Sequence, residues 1–262
     1  MGRRKFWEFR AQADNPKVGE LLLYGEISEV SWWGDEVTPK QFREELEALG
    51  DIEELRVYIN SPGGDVFAGQ AILSMLKRHS AYKVVYIDGL AASAASIVAM
   101  AGDVIRMPRN AMMMIHNVWT IAIGDANELR EVADALDRIT ESVVAAYQEK
   151  TGLDADEIRR MMDAETWMTA EEAVELGFAD EIEDAKTVAA SIRDGVLIVN
   201  GISCDLSYFR NPPKLVVVPA GEETEEKVPL PEGGDPEDEE AAKQRKLRLL
   251  KLELELLTGS SF

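Results

Sequence analysis

A glycine pair, a serine and a histidine in this chain have the types and positions needed for nucleophilic chemistry. Gly63 and Gly64 follow an apolar strand-like run and precede a predicted helix, where glycines allow backbone N–H groups to point at a ligand oxygen. Ser93 lies at the start of a predicted helix, whose N–H groups and dipole stabilise negative charge. His116 follows another apolar run, and side chains at strand ends project into a cleft in α/β sheets. Together these residue types would supply a nucleophile, a general base and an oxyanion hole.

Each of these residues also has an ordinary structural explanation. The alanines around Ser93 allow close helix packing, and Ser93 and Ser96 are both candidates for capping the helix. A lone histidine after an apolar strand is commonly a core or surface residue. The other histidine, His79, ends an amphipathic helix, where it is better explained as a favourable C-terminal cation or cap. If the protein uses a serine–histidine pair, His116 is therefore the candidate base.

The elements that must position these residues alternate between strand and helix, which predicts an α/β domain with a parallel sheet. Apolar runs predict strands at 20–27, 55–59, 83–88, 104–106 and 112–115. Apolar residues at helical spacing predict helices at 39–49, 65–79, 127–150, 155–162 and 169–177. Between the third strand and Ser93 we expect a tight turn at Gly89, followed by a helix whose first turn is mostly alanine. Thr169 and Glu172 form a capping-box pattern at the start of the last helix.

Charge and cysteine content disfavour several classes of function. The chain has 28 basic and 49 acidic residues, a net charge of -21, which disfavours nucleic acid and anionic membranes as partners. Its single cysteine, Cys204, rules out an internal disulfide framework and is typical of a reducing cytoplasm. One cysteine and two histidines cannot build the usual zinc sites, and we expect no metal and no other cofactor. We also expect no signal peptide and no membrane span.

Four motifs, in a fixed order, carry a family resemblance. They are INSPGG at 59–64, GLAAS at 89–93, MIH at 114–116 and WMTAEEA at 167–173, the last continued by LGFAD at 176–180. Over about residues 20–182 the chain resembles the proteolytic subunit of the Clp protease. That resemblance implies a ClpP/crotonase-like α/β fold with parallel β-sheet layers and surrounding helices. It also implies a serine endopeptidase with a Ser-His-Asp triad.

The resemblance implies a role for each residue that matches a motif. Ser93 corresponds to the nucleophile and His116 to the general base. The backbone N–H groups of Gly64 and Ala94 would form the oxyanion hole. Ser96 lies one turn further along the helix and is then a packing residue.

The third member of the triad is where the sequence departs from the family. The place of the usual aspartate is held by Glu165, which can still accept the histidine N–H bond with one extra rotatable bond. Asp163 is the alternative carboxylate, and a purely structural role for Glu165 also stays open.

Beyond about residue 186 the chain changes character. We divide the whole chain into an N-terminal segment at 1–18, a ClpP-like serine protease domain at 19–186, an extension with a possible hairpin at 187–220, an acidic linker at 221–240 and a leucine-rich amphipathic helix at 241–262. The linker has too little apolar surface to fold and is predicted to be disordered. The apolar stripe of the last helix needs a partner helix, either its own copy or another protein.

This extended form resembles the Clp-like proteases encoded in phage and prophage head modules. The resemblance implies a prohead protease that cleaves scaffold and major capsid precursors during head maturation, in the host cytoplasm and inside the assembling procapsid. It also implies a homo-oligomer, with a ring expected, because the helix at 127–150 occupies the place where the family packs rings face to face.

Three other functions stay open from the sequence. The first is an ATP-dependent Clp-type degradation subunit that works with an unfoldase. The second is a crotonase-like acyl-CoA enzyme, which would use the glycine oxyanion hole without a serine nucleophile. The pairing of Ser93 with His116 argues against that enzyme. The third is a structural scaffold protein with a vestigial site.

Overall fold

An eight-stranded, mostly parallel sheet organises the structure, a computed structural model that describes residues 5–12, 14–28, 39–184, 190–193 and 195–212. Its strands are β1 (Trp7–Gln12), β2 (Asn15–Tyr24), β3 (Glu54–Ser61), β4 (Tyr82–Ala92), β5 (Val104–Pro108), β6 (Met112–Ile115), β7 (Thr166–Thr169) and β8 (Glu181–Glu183). The strand order is β1-β2-β3-β4-β5-β8, and β6 pairs with both β4 and β7. Only β1–β2 and β6–β7 are antiparallel within this sheet.

Helices connect most of these strands in the described part of the chain. They are α1 (Pro39–Glu47), α2 (Val66–Arg78), α3 (Ala94–Ala99), α4 (Ala126–Thr151), α5 (Ala155–Asp163) and α6 (Ala170–Glu175). The alternation of strand and helix and the parallel pairing of the central strands confirm the predicted α/β fold class.

The central strands β3 and β4 hold the core together. Val57, Ile59, Val85 and Ile87 are fully buried, because helices cover the faces of a parallel sheet. These four residues lie on one face of the sheet, since Val57 pairs with Val85 and Ile59 with Ile87, while Tyr58 and Tyr86 on the other face are only partly buried.

Strand β4 differs from its prediction at Gly89. The strand continues through Gly89 to Ala92, so the expected turn at Gly89 is wrong and the helix begins later, with Ala94 and Ala95 in its first turn. The strand is extended because residues 84–86 pair with β5 while residues 90–92 pair with β6. Gly89 serves close packing instead, since a Cβ there would lie 2.4 Å from Cγ1 of Val199.

The predicted caps of two helices are present. Thr169 and Glu172 form the capping box that begins α6. His79 is the C-cap of α2, and its Nδ1 accepts a hydrogen bond from the backbone N–H of Ala81 at 3.2 Å. Burial, with a smaller effect of the Lys83 charge, lowers the pKa of His79. His79 is therefore a neutral cap at neutral pH and not the cation that its position also allowed.

A second sheet packs on the end of the first. Its antiparallel strands β9 (Ala190–Arg193), β10 (Val196–Val199) and β11 (Ile202–Asp205) lead into a 3-10 turn, Leu206–Tyr208. Together the two sheets bury a small apolar cluster of Leu90, Ala92, Met114, Leu197, Val199, Cys204 and Leu206. All described residues belong to one compact unit, Met1–Lys214.

Two of the predicted segments lie outside the described residues. These are the acidic linker at 221–240 and the leucine-rich helix at 241–262, together with parts of the segments 1–18 and 187–220. Within the described ranges, no helix combines the length and the apolar character that a membrane span requires.

Candidate active site

Ser93 lies on a sharp turn between β4 and α3. Its backbone has φ 53° and ψ -126°, a region that residues other than glycine rarely adopt. Its N–H donates to the carbonyl of Met114 at 2.9 Å, which ties the turn to β6. Ser93 makes no side-chain capping bond to α3, so its hydroxyl is available for another partner.

His116 is that partner, and strand register explains why. Strand β6 pairs in parallel with the last residues of β4, with Ala92 opposite Met114. The residues that follow the two strands are therefore neighbours at one edge of the sheet. His116 Nε2 lies 2.8 Å from Ser93 Oγ.

The surroundings of His116 favour its neutral form. Burial is the largest influence and lowers the pKa of His116. The negative charge of Glu165 raises this pKa, and the positive charge of Arg210 lowers it further, so the net shift is downward. A neutral imidazole at neutral pH can accept the proton of a nearby hydroxyl.

The glycine pair at 63–64 passes close to Ser93. A Cβ on Gly63 would lie 2.6 Å from both the Ala92 carbonyl oxygen and Ser93 Cβ. A Cβ on Gly64 would lie 2.0 Å from the carbonyl oxygen of Ile27. Positive φ values of 94° and 138° also exclude ordinary side chains there. Glycine is therefore required at both positions by space and by backbone conformation.

A cavity of about 760 Å³ connects these groups. Gly64, Ser93, Ala94 and His116 all line it, so the predicted oxyanion-hole residues share one space with the serine and the histidine. Most of the remaining lining is apolar, including Ile97 and residues of α4. Such a cavity suits an extended apolar ligand beside a few convergent polar groups.

Glu165 lies behind the site without a hydrogen bond to His116 among the described residues. It follows α5 with φ 51°, and the residue is only 6% exposed. Its carboxylate accepts from the backbone N–H groups of Arg210 and Asn211, each at 2.8 Å, and from Trp167 Nε1 at 3.3 Å. Glu165 still contributes to the electrostatics of His116, since it raises the pKa of that ring.

Asp163, the alternative carboxylate, is exposed. Its Oδ1 accepts from Asn117 Nδ2 at 2.7 Å, so it contacts the residue after His116. The structure thus lets the charge of Glu165 act on His116 and places Asp163 against Asn117, and it leaves neither carboxylate hydrogen-bonded to His116 within the described part of the chain.

Ser96 lies beneath the nucleophile candidate rather than beside it. It is fully buried, and its Oγ donates to the carbonyl oxygen of Ser93 at 2.6 Å. The same Oγ lies 2.8 Å from the hydroxyl of Tyr147 on α4. Ser96 therefore connects the strained turn at Ser93 to the long helix.

Sequence reasoning missed the aromatic residues around His116. The ring centroid of Phe209 lies 6.0 Å from that of His116 and 5.4 Å from that of Trp167. Tyr208 stacks on Trp119 with centroids 6.2 Å apart. Two neighbouring aromatic residues after a predicted hairpin were the one sign available, and no local pattern connects them to a histidine so distant in the chain.

Comparisons with known proteins agree with this geometry. The Clp protease family model matches residues 37–186. The ATP-dependent Clp protease proteolytic subunit 2 of Treponema denticola is 33% identical over 168 residues, 62% of this chain and 80% of that protein. The ATP-dependent Clp protease proteolytic subunit of Bacteroides fragilis is 30% identical over 141 residues, 52% of this chain and 67% of that protein. The chain therefore belongs to the Clp protease family of serine peptidases.

Proposed function

We propose that this protein is a serine endopeptidase in which Ser93 is the nucleophile and His116 the general base. The 2.8 Å separation of Ser93 Oγ from His116 Nε2 carries this proposal. The lowered pKa of His116 supports it, because the base must be unprotonated to accept the serine proton. The cavity that contains both side chains leaves room for a peptide.

The reaction is ordinary acyl transfer. His116 Nε2 takes the proton of Ser93 Oγ as that oxygen bonds to the scissile carbonyl carbon. The resulting oxyanion would accept hydrogen bonds from the N–H groups of Gly64 and Ala94, which line the same cavity. His116 then gives its proton to the leaving amine, and the C–N bond breaks to leave an acyl-enzyme. Water, deprotonated by His116, hydrolyses the ester and restores Ser93.

Glu165 is the proposed third member of this triad. Its charge raises the pKa of His116, as expected for a carboxylate that stabilises the imidazolium formed during the reaction. Oε2 accepts the Arg210 N–H, and a carboxylate oxygen has capacity for a second donor. The proposed triad requires a rotation of one of the two side chains that brings His116 Nδ1–H to that position. Asp163 is the alternative, through its contact with Asn117.

The proposed biological role is that of a prohead protease acting on scaffold and capsid precursors, inside the assembling procapsid in the host cytoplasm. The chain's continuation to residue 262, beyond the matched residues 37–186, supports this role. The relatives are ATP-dependent Clp protease proteolytic subunits, which favours a second role, that of an ATP-dependent degradation subunit. The two roles differ in whether an ATPase is required for cleavage.

The proposed assembly is a homo-oligomer. Ile121 and Ile123 are 83% and 78% exposed on the segment before α4, and Leu129 on the first turns of α4 is 44% exposed. Apolar side chains so exposed and so close together are typical of a surface that a partner covers. A second copy of the chain is the proposed partner, with the helix at 241–262 as a further contact to itself or to a partner helix.

A fluorophosphonate probe tests the chemistry directly. We expect it to label Ser93, as mapped by mass spectrometry, and to leave Ser93→Ala unlabelled. Ser74→Ala, which removes an exposed serine on α2, is the matched control and should label normally. Labelling at another serine, or equal labelling of Ser93→Ala, would show the proposed nucleophile to be wrong.

Co-expression tests the role. We expect the wild type, without any added ATPase, to cleave scaffold and capsid precursors of a head module, and Ser93→Ala to leave them intact. Cleavage that appears only with an ATPase and ATP would favour the degradation subunit instead.

A further inference from the structure

A short segment that follows the second sheet contacts residues of the candidate active site. Residues 209–211, which we name the clamp segment, follow the turn Leu206–Tyr208 and lie outside the residues that the family model matches. The second sheet holds this segment in place, because its buried residues pack against the ends of β4 and β6. Those two strands lead directly to Ser93 and His116.

Among the described residues, three N–H groups donate to Glu165, and the clamp segment supplies two of them. Arg210 N donates to Oε2 and Asn211 N donates to Oε1, both at 2.8 Å. Trp167 Nε1, from the main domain, is the third donor. Because the Glu165 side chain is buried, these donors offset the cost of removing its charge from water. The same bonds set the direction in which its remaining acceptor sites point.

Phe209 lies against the imidazole itself. Its ring is tilted by 43° to that of His116 and meets Trp167 edge to face at 76°. This contact keeps water away from one side of His116, and burial is the largest cause of the lowered pKa of that ring. The charged groups that act on His116 are Glu165 and Arg210, of opposite sign.

We propose that the clamp segment positions Glu165 and His116. The peptide N–H groups of Arg210 and Asn211 orient the carboxylate of Glu165, and Phe209 fixes the ring of His116. This inference rests on the proposed function, in which His116 is the base. The clamp residues act through His116 and Glu165 and are positioning residues. A part of the chain beyond the family domain thereby completes the peptidase site.

The opposite role for the same contacts is obstruction of the site. Phe209 and Tyr208 line the cavity that contains Ser93, so a segment held there could also exclude substrate. Positioning and obstruction predict opposite changes in rate when the contacts are removed, which makes the two roles separable.

Two substitutions of Asn211 isolate the peptide N–H. Both Asn211→Pro and Asn211→Ala lose the side-chain bond from Nδ2 to the Ala164 carbonyl, but only proline also loses the N–H donor to Glu165. We expect Asn211→Pro to slow fluorophosphonate labelling of Ser93 by about 10- to 100-fold, as misplacement of a catalytic group does. Asn211→Ala should label at a rate close to that of the wild type.

The pH dependence of labelling tests the contact with His116. Labelling rises with pH through the His116 pKa, since the base must lose its proton. Arg210→Gln keeps the peptide N–H but removes a charge that lowers this pKa, so the midpoint should move to higher pH. Phe209→Ala reduces the burial of His116, so the midpoint should again move to higher pH. Phe209→Leu keeps an apolar side chain against the ring and should return the midpoint to the wild-type value. Ser207→Ala, with an exposed side chain in the preceding turn, is the control with an unchanged midpoint.

The outcomes separate this inference from the proposed function. Absence of Ser93 labelling in the wild type would contradict the proposed function itself. Normal labelling of the wild type, with Asn211→Pro and Phe209→Ala equally fast, would show that the clamp segment positions nothing. Faster labelling of these variants would overturn the inference in favour of obstruction. If one of these two variants fails to fold by circular dichroism, the other decides, because each removes a different contact of the clamp segment.

Discussion

The hydroxyl of Tyr147 lies 2.8 Å from Ser96 Oγ, and Ser96 Oγ lies 2.6 Å from the carbonyl oxygen of Ser93. These two hydrogen bonds join the C-terminal part of the long helix α4 to the turn that carries the proposed nucleophile. Ser93 and Ser96 belong to the start of α3 and Tyr147 to α4, so a fully buried tyrosine of a second helix supports the turn at Ser93.

Tyr147→Phe removes this support while keeping the ring. We expect a loss of about 1 kcal/mol in the free energy of unfolding, the usual net value of one buried hydrogen bond. Denaturant unfolding measures it. Tyr82→Phe, at an exposed tyrosine, should leave stability unchanged within about 0.5 kcal/mol. Equal stability of both variants would mean that the Ser96–Tyr147 bond contributes nothing.

Gly63→Ala should abolish labelling of Ser93. The new Cβ would lie 2.6 Å from Ser93 Cβ, in a backbone conformation that alanine rarely adopts. We expect a loss of about 2–5 kcal/mol in stability, from left-handed strain and overpacking together. Gly152→Ala has the strain at φ +72° but no atom within 4 Å of its Cβ. Gly152→Ala should lower the free energy of unfolding by about 1–2 kcal/mol and keep full labelling of Ser93. If this variant also loses labelling, backbone strain is sufficient to explain the effect of Gly63→Ala.

Glu165→Gln should lower the rate of labelling and move its pH midpoint to lower pH. The carboxylate raises the pKa of His116, so loss of its charge lets burial lower that pKa further. The rate at the plateau should fall at least about 100-fold if Glu165 orients the ring. Asp163→Asn decides the open alternative. It should leave rate and midpoint unchanged, and a larger effect there than at Glu165 would assign the role to Asp163.

Gly89→Ala should destabilise the protein by about 1–3 kcal/mol, because its Cβ would lie 2.4 Å from Val199 Cγ1. Val199→Ala alone should also destabilise, since Val199 is buried. The double variant should be more stable than the sum of the two losses predicts, because the shorter side chain at 199 makes room for the new Cβ at 89. Strict additivity would contradict the docking of β10 on β4.

Ile121→Asp should weaken self-association if the exposed segment before α4 is the proposed interface. Association would bury the new carboxylate without a partner, which costs free energy that the separate subunits do not pay. We therefore expect a shift to smaller species in sedimentation velocity. Tyr82→Ser, at another exposed apolar side chain, should leave the distribution unchanged. A wild type that sediments as a monomer would contradict the proposal of an oligomer.

The sequence by itself determined the alternation of strands and helices, the capping box at Thr169 and the family motifs. These are local properties, because the buried face of a strand is marked by apolar residues close together in the sequence and capping pairs are three residues apart. The candidates Ser93, His116 and Gly64 came from the same local signals, and the family match over residues 37–186 agrees with the motifs that contain them.

Only the tertiary structure decided which residues meet. It shows β4 running through Gly89 because β6 pairs with its last residues, which places His116 beside Ser93. It also brings Phe209 onto His116 and the peptide groups of Arg210 and Asn211 onto Glu165. Backbone N–H donors carry no sequence signature, and contacts between distant segments depend on packing. Periodicity and motif spacing therefore cannot reveal them.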